Sequence, residues 1–182
     1  MITTNNKRLF EESKSLRNLC FGKKDRFNHE DIGWNYRMTN IQASLGVSQL
    51  KRIKSIVNKR HAVGRKYFDR LRNNRNIYIP ETSRPYAKNI YWVIAIVIVN
   101  KSLKIDAKKM MKKLMNYGIQ TRPFFWPMNE QKIFKNKYKI NVSGNYKNSE
   151  YVSKYGLYLP SSLDIKTSQI NFICDKINLI LK

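Results

Sequence analysis

The sequence predicts an α+β fold in which helices cover one face of a small sheet, and three observations carry that expectation. The run Ile90-Tyr-Trp-Val-Ile-Ala-Ile-Val-Ile-Val99 is rich in β-branched and aromatic residues and reads as a buried strand. Residues 106–117 and 167–181 show the three-and-four spacing of amphipathic helices. The order along the chain is helix, strand, helix, strand, strand, helix, an α+β arrangement.

Residues 5–18 read as a helix with Leu9, Leu16 and Leu19 on one side and charges elsewhere. Residues 21–32 are polar and irregular, with Gly22, Asp25 and Asn28 as turn formers. The best-signalled element follows. Thr39 is a good N-cap and Gln42 stands three residues later, which together make a capping box. Ala43, Gly46, Leu50, Ile53, Val57, Gly64, Tyr67 and Leu71 then recur at spacings of three and four, with Arg60 in the one skipped position. The pattern predicts a single long helix to about residue 72. Its stripe reads first as intramolecular core, with a dimer seam as the alternative.

Asn73-Asn74 ends that helix, and Pro80 and Pro85 punctuate the connection to the 90–99 strand. Asp106 starts the next helix and Gly118 stops it in the C′ manner. Residues 119–125 follow as a second strand, 136–149 as a loop of Lys, Asn, Ser and Gly, 150–155 as a short helical turn and 157–159 as a short strand. The last helix turns Ile170, Ile173, Cys174, Ile177 and Ile180 inward.

A chain of 182 residues with 42% hydrophobic residues can bury a sizeable core. Two cysteines, Cys20 and Cys174, are too few for a disulfide framework and stand in no metal-ligand spacing. The N-terminus has no charged-then-apolar signal layout, and the longest apolar run is about half of what a spanning helix needs. A cytoplasmic protein with no membrane partner is the simplest expectation. The net charge of +24 is the outlier. Lysines and arginines are scattered through every segment, however. The densest run, from Lys101 to Lys113, reads as a solvated helix face opposite Met111, Leu114 and Met115. A basic nucleic-acid-binding module without catalytic role is therefore the runner-up, and a positive cleft for phosphate-bearing ligands is a blander use of the charge.

Residues 33–50, Gly-Trp-Asn-Tyr-Arg-Met-Thr-Asn-Ile-Gln-Ala-Ser-Leu-Gly-Val-Ser-Gln-Leu, set a polar loop directly against a helix start. This segment resembles the corresponding signature of the DegT/DnrJ/EryC1/StrS sugar aminotransferases, which use pyridoxal phosphate (PLP). The resemblance extends to Met1-Ile-Thr-Thr4, similar to the strand after the family's Gly-Glu-Gly-Gly turn, and to Leu16-Arg-Asn18. Residues 118–131, Gly-Ile-Gln-Thr-Arg-Pro-Phe-Phe-Trp-Pro-Met-Asn-Glu-Gln, and Tyr155-Gly-Leu-Tyr-Leu-Pro-Ser-Ser162 resemble the perosamine synthetase branch. That branch aminates a GDP-linked 4-keto-6-deoxymannose with glutamate as donor, in surface polysaccharide (O-antigen) biosynthesis.

The resemblance implies the small C-terminal domain of a fold-type I PLP aminotransferase. Residues 1–38 would be the tail of the large cofactor domain with its interface loop, and 39–182 the small domain. In the family the lysine that forms the Schiff base lies upstream of the residue matching Met1. None of the 24 lysines here stands in the strand-and-glycine-turn context that presents it. The expectation is that these residues contain no catalytic group of their own and do not transaminate alone. Their partner would be a second copy or a complementary N-terminal half, supplied as a separate polypeptide or lost from an interrupted gene.

By resemblance, Asn35 reaches the cofactor phosphate of the partner subunit, with Tyr36 and Arg37 beside it. An amide and a guanidinium just ahead of a helix N-terminus are apt phosphate donors. The plain alternative is that Asn35 and Arg37 only pin the loop. A second candidate site is Arg122, Phe125, Trp126 and Asn129: aromatics stiffened by Pro123 and Pro127 offer a wall to a sugar or base, and Arg122 suits a pyrophosphate. Here the alternative is core packing at a strand end. Asn129 stands where the family usually has a histidine, keeping hydrogen bonding but losing titration near neutrality. His29 and His61 are lone, and His61 reads as structural.

Overall fold

The structure, a computed structural model, describes residues 2–22, 24, 27–139 and 144–182. Met1, Asp25 and residues 140–143 of the expected loop lie outside the described residues, and Ile2–Thr4 form no strand. The chain divides into two compact units, Met1–Ile53 and Lys54–Lys182.

The first unit holds α1 (Lys7–Arg17) and α2 (Asn40–Lys51). Asn6 caps α1, its side chain accepting from the Leu9 N–H at 3.2 Å. α1 buries none of its residues: Leu9 is half exposed, and Leu19 lies beyond the helix at φ 64°. The expected capping box forms at α2, where the Gln42 N–H donates to Thr39 Oγ1 at 3.3 Å and the Thr39 N–H donates to Gln42 Oε1 at 2.9 Å.

The single long helix expected to residue 72 is instead two. Arg52 leaves helical geometry at φ −104°, ψ 3°, and α3 runs Ile53–Leu71. No proline or glycine stands at the break. The stripe divides with it. Val63, Gly64, Tyr67 and Leu71 are buried in the core of the second unit, whereas Gly46, Leu50 and Ile53 are exposed. Intramolecular core is thus the right reading for α3 and the wrong one for α2.

The second unit is built on a four-stranded antiparallel sheet, β1 (Ile77–Tyr78), β4 (Ile94–Ile98), β6 (Gly156–Leu159) and β5 (Arg122–Pro123), side by side in that order. A separate hairpin, β2 (Ser83–Arg84) with β3 (Ala87–Lys88), turns through Pro85-Tyr86. Strand residues alternate between faces, so Ile94, Ile96, Ile98, Leu157 and Leu159 enter one core cluster. There they meet Tyr67 and Leu71 of α3, Met110 and Leu114 of α4 (Ala107–Met115), and Ile170, Cys174 and Ile177 of α7 (Thr167–Ile180). Each fully buried aliphatic chain contributes about 1.5–3 kcal/mol relative to exposure. An asparagine chain stitches the edge of this core: Asn100 Nδ2 donates to Asn76 Oδ1, Asn76 Nδ2 to the Leu181 carbonyl, and Asn74 Nδ2 to Asn178 Oδ1, at 2.6–2.7 Å.

Several expected bounds move. On α4 the inward residues are Ala107, Met110 and Leu114, while Met115 is exposed; Asp106 caps the helix through the Lys109 N–H, and Gly118 takes φ +72° just past its end. Within 119–125 only Arg122–Pro123 pair as a strand. The expected 136–149 loop includes the end of α5 (Lys132–Asn136) and the start of α6 (Lys147–Tyr155). The 90–99 strand begins only at Ile94, because Tyr91 adopts φ 51°. That left-handed conformation costs a non-glycine residue roughly 1–2 kcal/mol, and it turns the chain so that Tyr91 is buried and Trp92 exposed.

Candidate functional site

The loop of Asn35, Tyr36 and Arg37 is held by main-chain groups. The Trp34 N–H donates to the Leu16 carbonyl at 2.7 Å, the Tyr36 N–H to the Arg17 carbonyl at 3.0 Å, and the Leu19 N–H to the Trp34 carbonyl at 3.2 Å. Asn18 and Asn35 pair as an isolated antiparallel bridge. Gly33 is required by close approach: a Cβ there would stand 2.6 Å from the Cys20 nitrogen and the Leu19 carbonyl carbon. The Trp34 and Tyr36 rings stack at 6.2 Å with a 9° interplanar angle. Asn35, Tyr36 and Arg37 are all exposed, and among the described residues neither the Asn35 amide nor the Arg37 guanidinium has a hydrogen-bond partner. Among the described residues, the loop is pinned by its main chain rather than by these two side chains. A free amide and a free guanidinium fit a phosphate.

The second site is set by strand register. Tyr158 on β6 lies opposite Ala95 on β4 and Arg122 on β5, a row that alternation places on the face away from Ile96 and Leu157. A cleft of about 340 Å³ opens there, lined among others by Trp92, Thr121, Arg122, Phe125, Tyr158 and Ser161. Arg122 and Phe125 are exposed at it. The packing position belongs to Phe124, which stacks on Tyr158 at 4.6 Å, while Phe125 meets that ring edge-on at 6.1 Å. Burial raises the Tyr158 phenol above its ordinary value, keeping it a neutral hydrogen-bonding group. Thr121, buried, contributes a hydroxyl with no partner among the described residues.

Trp126 and Asn129 do not line this cleft. Trp126 is exposed, its carbonyl accepting from Gln131 Nε2 at 3.5 Å, and Asn129 Nδ2 donates to Glu150 Oε1 at 3.3 Å. Sequence reasoning missed Trp92, Thr121 and Tyr158. The aromatic interruption at Trp92 was a usable signal for the first; the other two depend on register. His29 Nδ1 lies 2.6 Å from the Leu19 carbonyl, and no group of His, Cys, Asp and Glu among the described residues could hold a metal ion. No helix among them is long and apolar enough to cross a membrane.

Comparison with known proteins decides what this arrangement belongs to. The DegT/DnrJ/EryC1/StrS aminotransferase family matches residues 1–178. The chain belongs to that family. It is similar to the GDP-perosamine synthases of Escherichia coli O157:H7, 25% identical over 98% of this chain, and of Vibrio cholerae, 26% identical over 96%. The chain spans about half the length of these relatives, 46% of each. Among solved structures, Helicobacter pylori PseC, an aminotransferase of pseudoaminic acid biosynthesis, shares the fold with a TM-score of 0.84 at 22% identity, over 98% of this chain and 47% of its own. The Streptococcus pneumoniae protein Spr1654 gives 0.82 at 16% identity, over 98% and 44%. The α+β small-domain architecture of a PLP aminotransferase is thereby established for this member of the DegT/DnrJ/EryC1/StrS family.

Proposed function

We propose that this chain is the C-terminal part of a PLP-dependent aminotransferase acting on a nucleotide-linked 4-keto-6-deoxy sugar of the perosamine type, with glutamate as amino donor. The observation that carries the reading is the pinned loop whose Asn35 and Arg37 side chains have no hydrogen-bond partner among the described residues, in a chain matched to the family over nearly its whole length. The cofactor, when bound, supplies an electron sink for the amino-group transfer. This chain's share is to bind and orient. Asn35 and Arg37 donate to the cofactor phosphate of a partner copy or of a complementary N-terminal half, with Tyr36 bracing the loop against Trp34. Arg122 neutralises the substrate's pyrophosphate, and Trp92, Phe125 and Tyr158 wall the nucleoside. Trp126 and Asn129 lie beyond the cleft and bear on the sugar end of the same substrate.

Support for an assembly partner comes from the first unit, where Leu9, Phe10, Trp34, Met38, Ile41 and Leu50 are all exposed. A monomeric surface rarely leaves so much apolar area uncovered. These 182 residues are expected not to turn over alone. The test mixes the chain with PLP, glutamate and the GDP-linked 4-keto sugar, with and without the N-terminal half of a GDP-perosamine synthase, and follows the amino sugar by mass spectrometry. Product only in the complemented mixture supports the reading; turnover by the chain alone, or none in either mixture while the two halves associate, sinks it.

A further inference from the structure

Three residues of α3 hold two adjoining segments of the cleft's rim, residues 91–92 and 160–161, without lining the cleft. Arg60, Gly64 and Tyr67 share one face of the helix. On the first segment, Arg60 Nη1 donates to the Tyr91 carbonyl at 3.4 Å and the Trp92 carbonyl at 3.2 Å. Gly64 lies under the same segment: a Cβ there would stand 2.3 Å from the Tyr91 ring. On the second segment, the same Nη1 donates to the Ser161 carbonyl at 3.3 Å, and the Tyr67 hydroxyl donates to the Pro160 carbonyl at 2.8 Å.

The choice of groups is specific. A half-buried guanidinium that could pair with a carboxylate instead aims one nitrogen at three main-chain carbonyls. The planar guanidinium holds that nitrogen in a fixed direction, whereas an ammonium on a flexible stem is a mobile point charge. Tyr91, in the left-handed conformation at φ 51°, has its N–H bound by Asn89 Oδ1 at 2.8 Å and its carbonyl by Arg60. Strained backbone persists where its surroundings over-determine it and collects at ligand clamps. Here it delivers Trp92 to the cleft lining together with Ser161 and Tyr158.

We propose that Arg60, on one helix face with Gly64 and Tyr67, is a positioning residue that fixes how the two rim segments 91–92 and 160–161 meet, so that the flat ring of a nucleoside diphosphate stacks on Trp92 inside the cleft. The inference rests on the nucleotide-sugar reading above. Aromatic side chains grip any base by its π-face, and that contact tolerates little error in spacing.

The test uses the whole ¹⁵N-labelled chain and GDP, reading the indole N–H signals of Trp34, Trp92 and Trp126, with Trp92 assigned by its loss in Trp92→Phe. GDP is expected to shift the Trp92 signal. Arg60→Met is expected to move that signal before any ligand is added and to weaken GDP at least tenfold, with cooperative unfolding retained; Arg60→Lys should recover only part of the affinity. A folded Arg60→Met that binds GDP as tightly as the parent overturns the brace and leaves the nucleotide reading standing. If that variant does not fold, amide exchange in the parent decides: GDP must slow exchange at Trp92 and Ser161 together, and protection of one segment alone overturns the brace. No response of Trp92 to GDP in the parent overturns both.

Discussion

Arg122 on β5 stands directly opposite Tyr158 on β6 in the antiparallel ladder, so its guanidinium leaves the sheet beside an aromatic ring and at the cleft. Directly opposed residues have Cβ atoms roughly 5 Å apart, which lets one ligand meet the cation and the ring together. Arg122→Ala should weaken GDP binding by about 1.5–3 kcal/mol, the range for a hydrogen bond to a charged group, with the melting temperature unchanged because the side chain is exposed. Calorimetric titration beside a thermal melt checks both halves.

Asn35→Ala removes no side-chain hydrogen bond among the described residues. Its stability in urea should match the parent to within about 0.5 kcal/mol, as for surface changes generally. In the complemented enzyme the same change should raise the PLP concentration needed for half-maximal activity. A stability loss with unaltered PLP dependence would return Asn35 to a structural role.

Gly33→Ala acts on the scaffold instead. Its methyl meets main-chain atoms of Leu19 and Cys20 at 2.6 Å, which cannot swing aside as a side chain would. The expected cost is about 1–3 kcal/mol, typical of overpacking, with loss of slow exchange at the Leu19 and Trp34 amides. Retention of both amides would show that the loop is not tied to α1 in this way.

Cys174 sets a limit on alkaline stability. Burial pushes its thiol from an ordinary value of 9.0 up to about 12, Arg70 opposing the shift and Asp175 adding to it. The folded state keeps a proton that the unfolded chain has already released, so the thiol's contribution is complete below pH 9 and is lost between pH 9 and 12. Tyr67, raised above its ordinary 10.0 by burial and then by Cys174, extends the same limb upward. Unfolding free energy should fall by at most about 1.4 kcal/mol per pH unit from the thiol alone in that window. Cys174→Ala should flatten the fall, which urea midpoints at pH 7, 9, 10 and 11 would report.

Local chemistry was readable in the sequence. The capping box of Thr39 and Gln42, the Asp106 cap, the stop at Gly118 and the inward stripe of α7 all depend on residues within a few positions of one another. The misses depend on partners far along the chain. Tyr91 breaks the expected strand because Asn89, Arg60 and Gly64 hold it there, and only the first of these is a neighbour in sequence. Arg60 showed itself only as a skipped place in an apolar stripe, since its purpose needs Ser161 from the other end of the unit. Phe124 and Phe125 are chemically identical, and the short β5–β6 pairing alone decides which packs and which is displayed.

A loop fastened by its own main chain is indifferent to most of what it displays. Since Trp34 and Tyr36 hold the turn through N–H and carbonyl groups that every non-proline residue carries, positions 35 and 37 can be rewritten without unfolding the platform beneath them. Selection, or a designer working by saturation mutagenesis, can thus vary the groups displayed at these two places while the fold stays constant, a separation of architecture from display that makes the loop an evolvable address.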